Sequence, residues 1–294
     1  MSPDRPVTLI GAGNMGGAMA AHLLAQGWTV EVCDIDRPKV DNLKRFGAVA
    51  LDLPAQAAMN SIAFMVCVVD AAQTETVLFG EDGLARMLQP GHVVMLCPTL
   101  APEDVEAFAG RLAARGVHAV DAPMSGGPAR ARDGTMSLMV ACENAVFDRL
   151  SDLLQALSGK VFRISEKPGD AARTKLVNNL LAGINLVGAA EALALAARLG
   201  LDLARTLEVI EQSSGQSWIG SDRMHRALAG DFAPRAHVTL LEKDTRLALA
   251  CARAAGFEGP LGGPASRAFA QASAAGLATL DDAALFTYLS RREP

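Results

Sequence analysis

Residues 7–16 read Val-Thr-Leu-Ile-Gly-Ala-Gly-Asn-Met-Gly, an apolar run that leads directly into a glycine-rich segment. The β-branched run predicts a buried strand, and the pattern over residues 15–25 predicts a helix straight after it. The three glycines allow a tight turn, a close approach of the backbone to a pyrophosphate, and close helix–strand packing. The free N–H groups at the start of the helix favour an anion. The stretch therefore predicts a dinucleotide-binding loop, formed by Gly11, Ala12, Gly13, Asn14, Met15 and Gly16.

An acidic residue, Asp34, ends the next predicted strand, 29–33, and lies 23 residues beyond Gly11. Its carboxylate can accept hydrogen bonds from ribose hydroxyls and would repel a 2′-phosphate, which favours NAD over NADP. Asp36 adds to this preference. Arg37 could instead fold over a phosphate, so NADP stays open as the cofactor.

Further β-branched runs alternate with helical stretches through the first half of the chain. The additional predicted strands are 62–68, 92–96, 118–121 and 137–140, with 162–164 as a candidate edge strand. This alternation is typical of βαβ units and therefore of a parallel, doubly wound sheet. We expect an α/β fold with a Rossmann domain over residues 1–166.

From about residue 167 the strand signals stop and helical periods take over. Helices are predicted over 171–199, 202–212, 239–255, 264–275 and 281–291. We expect an all-helical C-terminal domain over residues 167–294, joined to the first domain by the long helix 171–199. Its stretch from residue 176 to residue 200 is apolar enough to suggest a membrane span, but three asparagines, a glutamate and an arginine interrupt that stretch. A helix buried inside a soluble protein is therefore the favoured interpretation.

The composition excludes several classes of partner. The net charge is −5 and there is no basic block, which argues against nucleic acid. The apolar run at residues 7–10 is too short for a signal peptide, so we expect a cytoplasmic protein that does not bind a membrane. None of the five cysteines lies in a CxxC pair, as expected for reduced thiols. The five histidines are scattered, and we predict no metal site.

Two polar segments stand out from apolar surroundings. Lys175 and Asn179 lie one turn apart on the same face of the long helix, where they need partners, a cavity or solvent. Residues 121–127 read Asp-Ala-Pro-Met-Ser-Gly-Gly after a predicted strand. The backbone N–H groups and the hydroxyl at Ser125, Gly126 and Gly127 could cradle a carboxylate, although an ordinary turn is an equal alternative.

Four segments taken together resemble the β-hydroxyacid dehydrogenases, and they cover essentially the whole chain in order. They are Gly11 to Gly16 with Met19-Ala20; residues 121–127 continuing through Gly134-Thr135 to Met139-Val140; Gly169 to Asn179; and Lys243-Asp244 followed by Leu247-Ala248. The resemblance implies that Lys175 is the catalytic lysine and that Asn179 holds the substrate. It assigns the substrate carboxylate to Ser125, Gly126 and Gly127. Its implied cofactor contacts outside the glycine loop are Val68, Val69, Thr99 and Lys243.

The sequence departs from the family pattern at positions that shape the pocket. Ala171 replaces a glycine, Pro98 a serine, Thr245 a leucine, and Cys142 another glycine. None of these changes removes a group that does chemistry. The resemblance therefore still implies hydride transfer between NAD(P) and a small β-hydroxy acid, with Lys175 moving the hydroxyl proton. It also implies a homodimer or homotetramer.

The choice of hydroxy acid depends on the helical half of the chain. The segment 216–218, Gln-Ser-Trp, resembles threonate dehydrogenases, and its first two side chains could bind the extra hydroxyls of a four-carbon sugar acid. Trp218 could equally be a core or interface residue. Three alternatives remain: a 6-phosphogluconate dehydrogenase, for which the helical half is short; an imine reductase, in which the lysine would be replaced; and a non-catalytic nucleotide-binding module.

Overall fold

The computed structural model describes residues 5–291. The chain forms two compact units that divide between Lys175 and Leu176. This division lies inside the long helix, α8 (Asp170–Arg198), rather than before it at the predicted boundary of 166/167. The two units are described separately below.

The first unit contains one mixed sheet flanked by helices. Its strands are β1 (Val7–Ile10), β2 (Val30–Cys33), β3 (Val49–Leu51), β4 (Phe64–Val66), β5 (Val93–Leu96), β6 (His118–Asp121), β7 (Met124–Ser125), β8 (Ser137–Ala141) and β9 (Lys160–Ser165). Its helices are α1 (Asn14–Ala25), α2 (Arg37–Lys44), α3 (Ala71–Phe79), α4 (Pro102–Ala113), α5 (Gly127–Arg132), α6 (Asn144–Arg149) and α7 (Ser151–Leu157).

The strand order confirms the predicted Rossmann fold. The sheet runs β3-β2-β1-β4-β5-β6, with all of these strands parallel, and then continues to β8 and β7. The order reverses between β1 and β4, which is where open α/β sheets bind ligands. The prediction of a purely parallel sheet is wrong at one edge, because β8 pairs antiparallel with both β6 and β7. Strands β3 and β7 were not predicted, since two or three residues are too short to show a period.

The sheet is buried because apolar side chains alternate between two covered faces. Leu9, Met65 and Met95 point to one core, whereas Phe64 and Leu96 point to the other. Strands covered on both faces are expected to be continuously apolar, as β4 and β5 are, while β1 has one buried threonine, Thr8. The result is a rigid sheet whose strand ends carry the loops.

The second unit is all-helical, as predicted. Beyond the shared α8 it contains α9 (Leu203–Glu211), α10 (Trp218–Leu228), α11 (Val238–Ala254), α12 (Gly262–Ala272) and α13 (Leu285–Arg291). Helix α10 was not predicted. The hydroxyl of Ser217 caps it by accepting a hydrogen bond from the Gly220 N–H, so the segment 216–218 leads directly into a helix.

A buried ionic cluster ties α10 to the segment before α13. Arg223 pairs with Asp282, and Arg226 pairs with Asp281. Burial raises the pKa of Asp282 to about 7. Burial acts in the same direction on Asp281, but hydrogen bonds from Arg226 and from backbone N–H groups lower the pKa of that carboxyl to about 2. Arg223, which lies near the predicted pocket segment, is thus engaged in holding the unit together.

Helix α8 is long and apolar enough, by length and composition alone, to cross a membrane. Only 28% of its most apolar stretch is buried, so the expected burial of this helix is observed in part. The uncovered residues include Val177, Leu181 and Leu195, which fall on one side of the helix at about 100° per residue. They form a stripe that we call the apolar stripe of α8.

Candidate active site

Most of the predicted site residues of the first unit follow the carboxyl ends of neighbouring parallel strands. In sheet order, Asp34 follows β2, Gly11 follows β1, Val68 follows β4, and Thr99 follows β5. Parallel strands end at a common edge, so these residues line one border of the sheet. The loop carrying Ser125 follows β6 at the same border.

The glycine loop has the geometry that a pyrophosphate requires. Gly11 has a φ of 98°, and a Cβ there would lie 2.7 Å from the Cys67 carbonyl oxygen. A Cβ on Gly16 would overlap the Gly11 carbonyl oxygen, so α1 can lie this close to β1 only without a side chain. At Gly13, in contrast, nothing lies within 4 Å of an added Cβ. Gly13 therefore faces the open space in which a ligand would approach the start of α1.

The start of α1 is accessible to a ligand. Among residues 5–291 no side chain caps it through a hydrogen bond, and its first turn carries no acidic residue. The first N–H groups of a helix have no partner within the helix, so at an uncapped start they can bind an anion. The glycine loop and this uncapped start fit a bound NAD(P) pyrophosphate.

Asp34 is held in place by two backbone N–H groups. Its two carboxylate oxygens accept from Ala12 at 2.6 Å and from Asp36 at 2.7 Å. Arg37, the residue expected to complicate cofactor choice, forms an ion pair with Asp52. The arginine is therefore engaged at the surface, while the carboxylate of Asp34 is fixed beside the glycine loop.

The remaining predicted cofactor residues of this unit occupy loops. Val68 is partly buried and packs against the sheet core, whereas Val69 is half exposed and donates its N–H to Gln73. Thr99 is partly buried after β5. Their position at the sheet border agrees with a role in lining a cofactor.

The predicted carboxylate loop is built on two left-handed glycines. Ser125 ends β7, Gly126 has a φ of 129° and Gly127 one of 73°. A Cβ on Gly126 would lie 2.9 Å from Arg130, whereas nothing lies within 4 Å of one on Gly127. Gly127 also begins the short helix α5, and both glycines have a backbone conformation that other residues rarely adopt.

Asp121 is a residue whose role sequence reasoning missed. It ends β6, is almost fully buried, and accepts hydrogen bonds from the backbone N–H groups of Gly169 at 2.8 Å and Ala172 at 3.0 Å. Burial raises the pKa of this carboxyl to about 6, although the backbone hydrogen bonds oppose the rise. Asp121 thus fixes the first turn of α8, three residues before Lys175. The sequence signal that could have identified Asp121 is an acidic residue at the end of an apolar strand and at the start of a recognised motif.

The polar face of α8 is buried, which decides between the alternatives left by the sequence. Lys175 is 7% exposed and Asn179 is 8% exposed. The Asn179 side-chain amide donates to Asp244 at 2.6 Å and accepts from Asn178 at 3.0 Å. Solvation at a helix end, the bland interpretation, therefore does not apply to these two residues.

Asp244 connects two of the predicted residues in the second unit. One of its oxygens accepts from Asn179, and the other pairs with the ammonium of Lys243 at 2.9 Å. Asp244 itself is buried, and sequence reasoning gave it no role. A carboxylate that holds both an amide and an ammonium fixes the orientation of each of them.

The segment 216–218 is arranged differently from these buried groups. Gln216 is exposed, Ser217 uses its hydroxyl oxygen as the cap of α10, and Trp218 is half exposed. A Cβ on Gly220 would lie 3.0 Å from the Cβ of Ala189, so α10 packs closely on α8 here. The segment is positioned by that packing.

Two family models match the chain almost end to end. One, described as the NAD binding domain of 6-phosphogluconate dehydrogenase, matches residues 6–165. The other, described as NAD-binding of NADP-dependent 3-hydroxyisobutyrate dehydrogenase, matches residues 169–289. The first match contains the glycine loop and the strand ends that carry the site, and the second contains Lys175, Asn179 and Lys243.

Individual relatives agree with the models. The chain is 39% identical over 285 residues to an L-threonate dehydrogenase of Cupriavidus necator, covering 96% of this chain and 95% of that protein. A solved 3-hydroxyisobutyrate dehydrogenase from Salmonella typhimurium superposes with a TM-score of 0.91 at 36% identity, covering 97% of this chain and 100% of the other. Psf3, solved in complex with NADP+ and 2-OPP, gives a TM-score of 0.90 at 29% identity over 97% and 100%. The chain therefore belongs to the β-hydroxyacid dehydrogenase family, NAD(P)-dependent oxidoreductases that act on hydroxy acids.

Proposed function

We propose that the protein oxidises a small hydroxy acid with Lys175 as the group that moves the hydroxyl proton. The observation that carries this proposal is the burial of Lys175 and Asn179 on one face of α8. A lysine is costly to bury, and a buried lysine beside a buried asparagine is typical of a functional site. Bound NAD(P) supplies the hydride acceptor.

The chain's own residues divide the remaining work. Lys175 accepts the hydroxyl proton during oxidation and returns it during reduction. Asn179, oriented by Asp244, donates a hydrogen bond to the substrate. The backbone N–H groups at Gly126 and Gly127, with the Ser125 hydroxyl, bind the substrate carboxylate. Asp121 acts as a positioning residue, because it fixes the helical turn that precedes Lys175.

Further assignments concern the cofactor. The glycine loop, residues 11–16, binds the pyrophosphate, while Val68, Val69 and Thr99 line the neighbouring groups. Lys243, held by Asp244, contacts the cofactor in the role that the family resemblance implies. Replacing Lys243 with alanine is expected to raise the Michaelis constant for the cofactor; an unchanged constant would remove Lys243 from the site.

We propose a four-carbon sugar acid of the threonate type as the substrate. The support is the resemblance of residues 216–218 to threonate dehydrogenases and the L-threonate dehydrogenase named among the relatives. The test is a panel of threonate, glycerate, 3-hydroxyisobutyrate, 3-hydroxybutyrate, serine and 6-phosphogluconate, followed by reduced-nicotinamide absorbance. The highest kcat/KM is expected for threonate. A higher value for another acid would overturn the substrate but keep the class.

A matched pair of variants tests the pocket segment. Gln216 and Gln212 are both exposed glutamines in the second unit. Gln216→Ala is expected to raise the KM for threonate and leave that for 3-hydroxyisobutyrate unchanged, because only threonate offers the extra hydroxyls. Gln212→Ala should change neither constant. Equal effects of Gln216→Ala on both substrates would contradict a role in sugar-acid selection.

NAD is proposed as the preferred cofactor. A carboxylate beside the ribose repels a 2′-phosphate, and the ion pair with Asp52 holds Arg37. Comparing kcat/KM with the two cofactors on one substrate is the test, and a clear preference for NADP would overturn the assignment.

We propose a cytoplasmic homodimer or homotetramer that binds neither membrane nor nucleic acid. The apolar stripe of α8 supports this assembly, because exposed Val177, Leu181 and Leu195 are suited to burial against a second copy. Leu181→Glu is expected to lower the molar mass measured by light scattering. An unchanged mass would place the subunit contact elsewhere.

A further inference from the structure

Two cysteines occupy matching positions at the carboxyl ends of adjacent strands. Cys67 directly follows β4 and Cys97 directly follows β5. The register pairs Val66 with Leu96, and the ladder continues, because the Cys97 N–H donates to the Val66 carbonyl at 3.0 Å. The Cys67 N–H in turn donates to the Ile10 carbonyl at 2.7 Å. Both cysteines are thus fixed by the sheet.

The two side chains lie on the same face of the sheet. Cys97 belongs to the core that contains Met65 and Met95, and Cys67 packs against that same core. Val66 and Leu96, one residue earlier, belong to the opposite core, as the alternation of a strand requires. Neighbouring strands are about 4.8 Å apart. That spacing lies within the Cα range that disulfides span, about 4.4–6.8 Å.

The surroundings of Cys97 favour its protonated form. The neighbouring Cys67 thiol, together with burial, raises the pKa of the Cys97 thiol well above its ordinary value. Cys97 is buried, whereas Cys67 is partly exposed. The arrangement therefore makes Cys67 the thiol that meets a reagent from solvent, with the protonated Cys97 directly beside it.

We propose that Cys67 and Cys97 are a modification site that hydrogen peroxide, or another small hydroperoxide, converts to a reversible disulfide. The Cys67 sulfur attacks the peroxide, the O–O bond breaks, and Cys67 sulfenic acid and water form. The Cys97 sulfur then attacks the Cys67 sulfur, the S–O bond breaks, and the Cys97 proton leaves with the hydroxyl as a second water. Two thiols are oxidised and one peroxide is reduced.

The modification would act on the cofactor loop, because Cys67 contacts that loop directly. A Cβ on Gly11 would lie 2.7 Å from the Cys67 carbonyl oxygen, and one on Gly16 would lie 3.1 Å from the Cys67 Cβ. The two glycines are therefore packed against Cys67 with no spare space. Closing a disulfide turns the Cys67 side chain toward Cys97 and changes the surface on which the two glycines pack, so the loop loses its fit to the pyrophosphate. By linkage, bound cofactor must oppose the oxidation to the same extent.

The test uses the whole 294-residue chain and needs no substrate. Peroxide-treated protein is digested without reductant, and a fragment linking Cys67 to Cys97 is expected by mass spectrometry. The affinity for NADH, followed by its fluorescence, is expected to fall about tenfold and to return after dithiothreitol. Saturating NADH added before peroxide should slow the linkage. Because binding alone is measured, failure here is distinguishable from failure of the proposed catalytic roles.

Variants separate the pair from other thiols. Cys97→Ala is expected to abolish the linkage and leave NADH affinity insensitive to peroxide. Cys251→Ala, which removes a partly exposed cysteine of the second unit, should respond as the wild type does. A sulfinic acid at Cys67 without linkage to Cys97 would overturn the proposal, as would a disulfide that leaves NADH affinity unchanged. The wild-type digest decides the linkage even if a variant fails to fold.

Discussion

The starts of two helices, α1 and α8, use the same backbone groups in opposite ways. At α1 no side chain among residues 5–291 caps the free N–H groups, and open space surrounds Gly13. At α8 the buried carboxylate of Asp121 occupies the corresponding N–H groups. One helix start is kept available for an external anion, and the other is closed by an internal one.

The difference shows how one fold provides both binding and positioning. A helix start that binds a ligand must lack its own cap, so its stability depends on close packing, as at Gly16. A helix start that must position Lys175 is better capped by a residue of the protein, since the cap restricts the conformations of the first turn. The four predictions below test this contrast.

The largest expected effect is on turnover, from a substitution in α8, the helix whose start is capped by Asp121. Lys175→Ala should lower kcat by about 10³-fold, because a general acid–base group contributes about 10²–10⁴-fold. NADH affinity should be retained. Lys160→Ala, at an exposed lysine of β9, serves as the control and should behave as wild type. Steady-state kinetics and fluorescence titration provide the two measurements. Near-normal turnover in Lys175→Ala would remove the lysine from the chemistry.

The open start is tested at Gly13. Gly13→Ala meets no protein atom within 4 Å and has an ordinary φ of −65°, so thermal unfolding of the ligand-free protein should not change. NADH affinity should fall about tenfold, because the methyl group enters the ligand's space. Gly110→Ala, also unobstructed but inside α4, should leave NADH affinity unchanged and slightly raise thermal stability, because alanine is the better helix former. If Gly13→Ala binds NADH normally, the space beside α1 is not where the cofactor approaches.

The pH dependence of stability tests the internal cap. The folded protein keeps the Asp121 proton up to about pH 6, whereas the unfolded chain releases it near 3.8. The folded state therefore holds the extra proton in this window, and this group's contribution to stability declines as pH rises through it. The decline should be about 1 kcal/mol per pH unit.

Asp121→Asn cannot titrate and should lack that decline. Denaturant unfolding of both proteins between pH 4 and 7 gives the comparison, and the difference in unfolding free energy should shift in favour of the variant as pH rises. Curves that stay parallel would show that Asp121 has the same proton affinity in both states.

The smallest effect is expected on cofactor choice, from a substitution in the ion pair of Arg37 and Asp52. Asp52→Ala releases Arg37 from its exposed ion pair, and the guanidinium can then reach a 2′-phosphate. The ratio of kcat/KM for NADP to that for NAD should rise a few-fold, as expected for one exposed contact. Asp41→Ala, which breaks a different exposed pair on α2, is the control. An unchanged ratio would mean that Asp34 alone governs the choice.

The fold was largely predictable because its signals are local. The glycine loop and the β-branched runs mark the sheet, and polar breaks in a long apolar period mark α8. The features that were missed depend on tertiary partners. No local sequence pattern distinguishes the antiparallel pairing of β8 from a parallel one. The residues at the start of α10 are also of the types that line a binding pocket, so they did not identify a helix.

The candidate site divides in the same way. Lys175 and Asn179 could be found from helical spacing, but their burial depends on residues far away in sequence. Asp121 and Asp244 lie within the recognised motifs. Only the structure shows that Asp121 accepts a hydrogen bond from Gly169 and that Asp244 accepts one from Asn179. When an acidic residue only orients another residue, no regular sequence spacing marks it.

The ionic cluster of Arg223, Arg226, Asp281 and Asp282 has a practical meaning for protein engineering. A chimera that joined α10 from one relative to the C-terminal segment of another would separate each arginine from its carboxylate. A buried charge left without its partner costs about 3–5 kcal/mol. Recombination of the helical half should therefore place its crossovers outside residues 223–282, so that the four side chains are inherited as one block.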